Sequence, residues 1–443
     1  MSELPSGWTR TTAAELFERV TSGSRGWAKY YANTGAAFIR VGNLDHDTIK
    51  LDLADVQRVE PPAGAEGERT RLMHNDLLVS ITAELGMVGL VPRDLGEAYI
   101  NQHIALARPR AGCDPRFLAW YFASEADGKR QLLAASRGGT KAGLGLDDIR
   151  DAEVLVAPFP EQQRIANKLD AILARVDACR NRLDRVGPLL QRFRQSVLAR
   201  AVSGGVGDQQ YDISEWTPCA IGQLGVVVTG NTPARVRASD PNGRIPLFKP
   251  TDLSQGDAVC QSDERLTDEG VSGARLLPTG AVLVTCIGAT IGKTGLAAVP
   301  CATNQQINAV VCDESRVDPR YLYLWFSSPI GQQAVIGNAS ATTLPIINKS
   351  KFASLQVLLP PLAVQRDIAG RVSMLLEQAG RLQRRLDGAA ATIHRLAPAT
   401  LAKAFRGELV PQDPNDEPAA EMLARLDASA PPKTTARRGR STA

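Results

Sequence analysis

The chain has 443 residues, a mass of 47.5 kDa, 44% hydrophobic and 22% charged residues, and a formal net charge of +4. This length predicts roughly two to four domains, and the composition is that of a globular protein. Because there is no run of about 18 uncharged apolar residues and no basic segment leading into an apolar one at the start, we expect neither a membrane span nor a secretory signal, and therefore a cytoplasmic protein.

Cysteine and histidine usage argues against two kinds of site. The seven cysteines include no C-x-x-C pair, and only four histidines are present. This pattern predicts neither a disulfide framework nor a zinc site. We expect reduced, mostly buried thiols and no metal bound by this chain.

The sequence contains an internal repeat with a period near 204 residues. Asp-Pro-Arg-Phe-Leu at 114–118 returns as Asp-Pro-Arg-Tyr-Leu at 318–322, and each precedes an aromatic helical stretch. Asn-Gln-His-Ile at 101–104 likewise matches Asn-Gln-Gln-Ile at 304–307. Two copies of one fold imply a pseudo-two-fold molecule, which suits a two-fold ligand such as duplex DNA.

In chain order, each copy is a globular stretch followed by a helical one. We predict a globular domain at 1–155, a helical spacer at 156–206, a second globular domain at 207–357, a second spacer at 358–412 and a disordered tail at 413–443. The globular domains are predicted to be mixed α/β, because short β-branched runs such as 77–81 and 281–285 are typical of buried strands. The tail is rich in proline and charge, which is typical of disorder.

The spacers carry a strict heptad. From Ile165 to Val197 apolar residues alternate at spacings of four and three, and the pattern returns 203 residues later. A period of 3.5 indicates a coiled-coil seam, whereas a helix lying on its own domain would follow 3.6. We predict two long helices that pair as an antiparallel coiled coil, with a kink or break at Pro188 and a weak point at Gly388. The predicted seam residues are Ile165, Leu169, Ile172, Val176, Leu183, Leu190, Ile368, Val372, Leu375, Leu382, Leu386 and Ile393.

Charge is distributed unevenly along the chain. Residues 161–200 carry 9 Lys/Arg against 4 Asp/Glu, and 361–412 carry 8 against 4, whereas 1–160 carry 18 against 21. The basic helices are either solvated faces or rails that face DNA phosphates. Because the globular domains are acidic overall, we expect this chain alone to bind DNA weakly.

Loop residues that suit DNA contacts occur in both globular domains. Base and phosphate recognition favours Arg, Lys, Asn, Gln, Ser and Thr on loops, and a solvated loop residue is the alternative for each. The candidates are Arg25, Arg40, Asn43, Arg137, Thr140 and Lys141 in the first domain, and Asn231, Arg235, Lys249, Thr251, Lys293 and Thr342 in the second. The run at 137–141 is favoured because its two glycines let the backbone approach phosphates.

No catalytic motif is convincing. Gly288–Thr294 resembles a phosphate-binding P-loop but is one residue short. A [DNS]-P-P-[YFW] turn of DNA methyltransferases and a G-x-S-x-G elbow do not occur in the sequence, and the [DE]-x-K at 127–129 lies in the aromatic helical region. We therefore expect no catalytic residues. The alternative functions are a scaffold of the same fold that does not read DNA, and a nucleotide-dependent enzyme that uses the P-loop-like segment.

Further motifs, taken in their order, resemble the specificity (S) subunit of type I restriction–modification systems. They are Pro-Glu-Gln-Gln-Arg-Ile-Ala at 160–166, its counterpart at 362–369, Thr-Gly-Asn-Thr-Pro at 229–233, Pro-Leu-Phe-Lys-Pro-Thr-Asp-Leu at 246–253, and Leu-Ala-Lys-Ala-Phe-Arg-Gly-Glu-Leu at 401–409. The resemblance covers about 1–412. The first half departs from it at 22–25, which lack the Thr-Pro, and at 202–204, where Val-Ser-Gly replaces Phe-Arg-Gly.

The resemblance implies a non-catalytic protein. Each globular domain would be a target-recognition domain that reads one half of a bipartite, asymmetric site in double-stranded DNA. The helices would set the gap between the half-sites and dock two methyltransferase subunits, which bind S-adenosylmethionine and methylate adenine. Restriction subunits, which use ATP and Mg²⁺, would join for cleavage. By this resemblance the chain itself binds no cofactor.

Overall fold

The chain divides into two compact units that each draw on both copies of the repeat. The computed structural model describes residues 4–61, 64–136, 143–233, 243–340 and 344–428. Unit 1 combines the chain up to Arg182 with the chain from Gly388 onward, and unit 2 is Leu183–Asp387. The division therefore falls inside each helical spacer.

The first copy folds into small sheets with short helices and then one long helix. Its described strands are β1 (Thr9–Thr12), β2 (Phe17–Ser22), β3 (Tyr31–Ala32), β4 (Ala36–Ile39), β5 (Gln57–Val59), β6 (Leu77–Ser80), β7 (Val88–Leu90), β8 (Ala98–Ile100), β9 (Ile104–Pro109) and β10 (Glu153–Val156). Its described helices are α1 (Ala13–Leu16), α2 (Ala65–Thr70), α3 (Pro115–Ala123), α4 (Gly128–Ala135), α5 (Leu146–Arg150) and the long α6 (Phe159–Ala201), with 3₁₀ turns at Trp27–Tyr30 and Val41–Asn43.

The second copy repeats this order. Its described strands are β11 (Gly205–Val206), β12 (Gln209–Gln210), β13 (Thr217–Ala220), β14 (Gly225–Thr229), β15 (Ile245–Phe248), β16 (Arg265–Leu266), β17 (Val282–Thr285), β18 (Thr294–Leu296), β19 (Ala302–Thr303), β20 (Ile307–Cys312) and β21 (Gln356–Leu359). Its described helices are α7 (Asp268–Gly273), α8 (Pro319–Ser327), α9 (Pro329–Gly337), α10 (Lys349–Ala353), the long α11 (Leu362–Phe405) and the terminal α12 (Ala419–Ala428), with 3₁₀ turns at Ile213–Glu215, Ile221–Gln223 and Asp252–Ala258.

The two copies share one sheet topology. Strands β2-β9-β6-β7 form an antiparallel sheet in the first copy, and β14-β20-β17-β18 form its equivalent in the second. A second sheet in each copy contains a parallel pair, β4 with β8 and β15 with β19. The first and last strands of each copy pair as a ribbon, β1 with β10 and β13 with β21. The sequence repeat is therefore also a repeat of fold.

The repeated Asp-Pro-Arg motif starts the aromatic helices α3 and α8. Asp114 caps α3, because its Oδ1 accepts hydrogen bonds from the backbone N–H groups of Arg116 and Phe117 at 2.9 and 3.1 Å. Asp318 caps α8 in the same way. Proline at the first helical position needs no hydrogen-bond acceptor and already has a helical φ. Both helices lie in the hydrophobic clusters at the centres of the two units.

A buried glutamine joins each aromatic helix to the start of a long helix. Gln162 accepts a hydrogen bond from the Asp114 N–H at 2.9 Å and donates one to the Ala157 carbonyl at 2.8 Å. Gln365 makes the equivalent bonds to the Asp318 N–H and the Pro360 carbonyl, both at 2.8 Å. These bonds explain why glutamine recurs in the two matching motifs.

We expect Gln162→Leu to lower the free energy of unfolding of unit 1 by about 2–4 kcal/mol, because it leaves a buried N–H and a buried C=O unpaired. Denaturant unfolding of the purified chain measures this. Gln163→Leu is the matched control, since Gln163 is exposed one residue away. Equal stability of the two variants would contradict the role assigned to Gln162.

The long helices run without interruption through their glycines and prolines. Helix α6 has 43 residues and includes Pro188, and α11 has 44 residues and includes both Gly388 and Pro398. Helix α6 therefore continues through Pro188 without the predicted break. One proline removes a single hydrogen bond, which the packing of the rest of the helix can offset.

The predicted seam is only partly buried. Ile165, Leu169, Val176, Leu190, Ile368 and Val372 are buried, whereas Ile172, Leu183, Leu375, Leu386 and Ile393 are partly exposed. Leu382 is 48% exposed, which corrects its placement on the seam, and Leu173, which was not predicted, is buried. The reason is that a straight α-helix drifts by about 20° per heptad from a 3.5 repeat, so a strict heptad position rotates out of the contact.

Opposite ends of the two long helices meet in each unit. In unit 1, Ile165 and Leu169 from the start of α6 share a hydrophobic cluster with Leu401 from the end of α11. In unit 2, Leu198 from the end of α6 shares a cluster with Ile368 from the start of α11. This exchange is what antiparallel pairing of the helices requires.

The tail at 413–443, which we expected to be disordered at its end, contains a docked helix. Helix α12 buries Ala419 and Met422 in the cluster of unit 1. The Ala419 N–H donates to the Gly7 carbonyl at 2.9 Å, and Asp416 Oδ2 lies 2.6 Å from Arg164 Nη2. Residues 429–443 lie outside the described part of the chain.

Candidate nucleic-acid interface

A groove of about 960 Å³ opens on the first globular domain. Three of the residues predicted to contact DNA, Arg25, Arg40 and Asn43, line it. The other lining residues are Val41, Gly42, Asp52, Asp55, Thr82, Ala83, Asn101, His103 and Gly143. Segments that are far apart in the sequence thus converge on one surface of this domain.

The two arginines of this groove are available for a ligand. Arg25 is exposed and Arg40 is partly exposed. Neither guanidinium makes an ion pair with any residue that the structure describes. A guanidinium carries five donors in a planar fork, which fits phosphate oxygens and the major-groove edge of guanine.

The side chain of Asn43 stabilises the loop by hydrogen bonds to the backbone. Its Oδ1 accepts from the Arg40 N–H at 2.9 Å, and its Nδ2 donates to the carbonyls of Asp52 and Asp55 at 2.9 and 3.0 Å. The residue is 4% exposed. Its polar atoms are therefore occupied inside the protein, contrary to the expectation that they face DNA.

The groove is also lined by residues that sequence reasoning missed, Thr82, Ala83 and His103. Thr82 Oγ1 lies 2.6 Å from His103 Nδ1, and Gln102 Nε2 lies 2.9 Å from His103 Nε2. Ala83 has φ of 63°, in the left-handed region that costs a residue with a side chain about 1–2 kcal/mol. Strain of this kind concentrates at functional sites. The repeated Asn-Gln-His-Ile motif was the one sequence signal that pointed to this place.

In the second domain, two predicted residues meet directly. Lys293 Nζ donates to the Thr251 carbonyl at 3.1 Å. Lys249 lies on the same short segment as Thr251, and its ammonium forms an ion pair with Glu264. Lys293 is therefore held against the segment that carries Lys249 and Thr251, while Lys249 is partly neutralised.

The two domains hold a basic residue in the same local frame. The Arg40 N–H donates to Asn43 Oδ1 at 2.9 Å, and the Lys249 N–H donates to Asp252 Oδ2 at 2.7 Å. In each domain this bond closes the entry to a 3₁₀ turn that follows the central strand, β4 or β15. The matching segments 38–44 and 247–253 therefore adopt the same local conformation, with arginine in the first copy and lysine in the second.

Asn231 braces a loop in the second domain. Its Nδ2 donates to the Gly273 carbonyl at 2.8 Å, and its Oδ1 accepts from the Arg275 N–H at 3.0 Å. Its amide is thus engaged within the protein, although the residue is partly exposed. A base contact by Asn231 stays a prediction.

Five predicted residues, Arg137, Thr140, Lys141, Arg235 and Thr342, lie outside the described residues. Their contacts with DNA stay predictions. Gly143 follows the first of these segments closely and lines the groove of the first domain.

The P-loop-like segment is a hairpin turn. It joins β17 to β18, so Lys293 and Thr294 lead into a strand, whereas a P-loop leads into a helix whose N-terminus holds the phosphates. Gly288 and Gly292 have φ of 100° and 87°, which are turn conformations. The alternative of a P-loop enzyme is therefore wrong on topology.

The described ranges contain neither a membrane-spanning helix nor a metal-binding cluster. Within those ranges, none of the helices combines the length and the apolar character needed to cross a membrane. Among the same residues there is no cluster of three or more His, Cys, Asp or Glu placed to hold a metal ion.

Comparison with known families decides the assignment. The model of the type I restriction modification DNA specificity domain matches the chain twice, at residues 14–186 and 213–386. Together these matches cover more than half of the chain. The chain belongs to this family. The two matches correspond to the two copies of the repeat, so the sequence-based assignment is confirmed, as is a role in DNA recognition rather than catalysis.

Curated relatives agree with the family match. The chain is 25% identical over 436 residues to the type I restriction enzyme StySPI specificity subunit of Salmonella potsdam, which covers 93% of this chain and 91% of that protein. The same figures hold for the EcoKI specificity subunit of Escherichia coli strain K12. The EcoBI specificity subunit of Escherichia coli is 27% identical over 292 residues, and the match spans 60% of each chain.

Solved structures show the same fold. A chain from a study of complex assembly and conformational transition of the type I R-M system matches with a TM-score of 0.70 at 21% identity, over 92% of this chain and all of that one. The HsdS subunit of Thermoanaerobacter tengcongensis matches with a TM-score of 0.59 at 19% identity, over 92% of this chain and 99% of that one. The predicted fold class, two mixed α/β domains in tandem with long helices, is confirmed.

Proposed function

We propose that this chain is the sequence-specificity subunit of a type I restriction–modification complex, and that each globular domain reads one half of a bipartite DNA site. The observation that carries the proposal is the repeated frame that presents Arg40 in one domain and Lys249 in the other. One frame used twice supports two reading surfaces of the same kind, as a duplex with two half-sites requires.

The site that these surfaces read is asymmetric. The first domain offers Arg25 and Arg40 in the lining of a groove. The second offers Lys293, bound to Thr251 two residues after a lysine that is paired with Glu264. Because base readout depends on which donors reach the groove edges, different side chains in one frame select different sequences.

Catalysis belongs to partner subunits in this proposal. Two methyltransferase subunits bring S-adenosylmethionine and methylate adenine in cytoplasmic DNA, and restriction subunits bring ATP and Mg²⁺. The long helices present exposed apolar side chains, Leu189, Phe193 and Met374, that suit protein docking. This chain holds the partners and positions them on the DNA.

Long-read sequencing of modified bases tests the proposal. A host without DNA methylation would express the methyltransferase subunit of the same system with and without this chain. We expect methyladenine at a bipartite, non-palindromic motif only when the chain is present. Assembly of the complex without any new mark would contradict DNA reading and favour a scaffold.

A variant pair in the same assay locates the reading surface. We expect Arg40→Ala to slow methylation about tenfold or more, since one good arginine contact is worth about 1–3 kcal/mol. Arg93→Ala is the control, because Arg93 is exposed on the same domain and does not line the groove. Equal methylation rates for the two variants would show that Arg40 does not contribute to DNA recognition.

A further inference from the structure

Unit 2 contains a second groove, of about 860 Å³, where its globular domain meets the long helices. Its walls are the turn at 254–258, the aromatic helix α8, and stretches of α6 and α11 that belong to this unit. Three arginines line it, Arg194 from α6, Arg320 from α8 and Arg384 from α11. Three separate elements therefore direct positive charge to one place.

The charge of this groove is not balanced by the protein. In the described part of the chain, none of the three guanidinium groups makes an ion pair. Two acidic residues, Asp257 and Glu377, also line the groove, but Glu377 Oε1 is bound to Arg381 Nη2 at 2.9 Å. Three guanidinium groups against the single remaining carboxylate of Asp257 leave a net positive charge, so the groove favours an anion.

The fold itself does not require this charge, as the equivalent position in unit 1 shows. There Arg116, the counterpart of Arg320, is neutralised by Asp170 Oδ2 at 3.0 Å and Asp114 Oδ2 at 3.2 Å. In unit 2 the position of Asp170 is occupied by Ser373.

The other two arginines have neutral counterparts in unit 1. At the repeat offset of 203, Arg384 corresponds to Asn181 and Arg194 to Ala397. A smaller groove in unit 1, of about 510 Å³, sets three carboxylates, Asp94, Asp170 and Asp177, against the cations Lys50 and Arg116. The basic character is thus specific to unit 2.

One wall of the basic groove is the turn at 254–258, which follows Thr251 of the candidate DNA interface in the sequence. Gln255 holds it, because its Oε1 accepts from the N–H groups of Cys260 and Gln261 at 3.1 and 3.0 Å. Gly256 has φ of 74°, and a Cβ there would lie 3.2 Å from the Tyr323 hydroxyl. The turn directly follows Thr251, whose carbonyl binds Lys293.

We propose that this groove binds the phosphodiester backbone of duplex DNA next to the half-site read by the second domain. The inference rests on the proposed function and extends it from bases to backbone. Phosphate contacts supply affinity without sequence information, and guanidinium groups bind phosphate oxygens in pairs. Unit 1 keeps only one of the three cations, Arg116, and pairs it with Asp114 and Asp170. The second half of the protein therefore holds the DNA backbone more tightly than the first.

The test measures how DNA affinity of the complex with its methyltransferase subunits depends on salt. Each phosphate contact contributes about 0.9 to the slope of log K against log salt. We expect the double variant R320Q/R384Q to lower this slope by about 1–2 and to leave the methylated motif unchanged. Arg385→Gln is the control, since it removes the next charge on the same helix outside the groove.

The outcomes separate this inference from the proposed function. If the wild-type complex shows no sequence preference, the proposed function fails. If it binds specifically and the double variant keeps the slope of Arg385→Gln, only the groove inference is overturned. Loss of a methyltransferase subunit from the double variant in size-exclusion chromatography would show a protein-docking surface instead. Saturable binding of inorganic phosphate or ATP that R320Q/R384Q abolishes, with no change in slope, would show a free-anion site instead.

Discussion

Removing residues 413–443 is expected to destabilise unit 1 by about 3–6 kcal/mol and to leave unit 2 unchanged. Helix α12 buries Met422 and Ala419, with Leu423 and Leu426 packed against the same cluster. Full burial of one large apolar side chain is worth about 1.5–3 kcal/mol. The truncation also removes Asp416, whose carboxylate pairs with Arg164.

Amide hydrogen exchange reports each unit separately. We expect protection of β6 to fall in the truncated chain while protection of its counterpart β17 stays at the wild-type level. A chain shortened only after Ala428 is the control, because it keeps the whole of α12. Unchanged protection of β6 after the longer truncation would show that the docked helix contributes nothing to the stability of unit 1.

Inserting four helix-forming residues after Asp184 is expected to lengthen the spacer of the methylated motif by about one or two base pairs. Four residues add about 6 Å of helix at 1.5 Å each, and a base pair adds about 3.4 Å. The half-sites should not change, because the domains that read them are untouched. This prediction rests on the proposed function.

Two control insertions separate helix length from chain length and from heptad phase. Four residues inserted after Gly207, in the turn between β11 and β12, lengthen the chain but neither long helix. A seven-residue insertion after Asp184 keeps the heptad phase, so it guards against a variant that fails only because its seam is misaligned. A spacer that stays the same in both Asp184 variants, or a changed half-site, would contradict the ruler role.

The sequence predicted the repeat, the family and the order of elements because local matches are enough for these. The same strand order recurs in both copies, as the offset of about 204 residues implied. The seam was predicted less well, since Leu382 is exposed and Leu173 buried. A heptad count assumes a supercoil, while parts of these helices lie on globular domains and follow the 3.6 period of a straight helix.

The candidate site was harder to predict because loop backbones need hydrogen bonds of their own. Asn43 and Asn231 have the right chemistry for bases, but their amides are engaged by nearby backbone. Such bonds depend on loop conformation, which periodicity does not report. The docked tail did have a signal, because Ala419, Met422, Leu423 and Leu426 follow helical spacing. The surrounding prolines and charges outweighed it in our prediction.

The exchange of helix ends between the units has a consequence for chains with a single repeat. Phe405 packs on Phe117 and Tyr121 with ring centroids 5.4 and 5.1 Å apart, although it lies almost 290 residues away in the sequence. In the first copy the matching residue is Val202, which shares a cluster with Tyr321 of unit 2. In a polypeptide that ends near residue 206, nothing takes the place of Phe405 on the aromatic helix α3. The Val202 end of a second molecule's long helix could cover that helix instead. Such half-length chains should be stable only as swapped homodimers, and fusing two of them would free each half to acquire a different DNA preference.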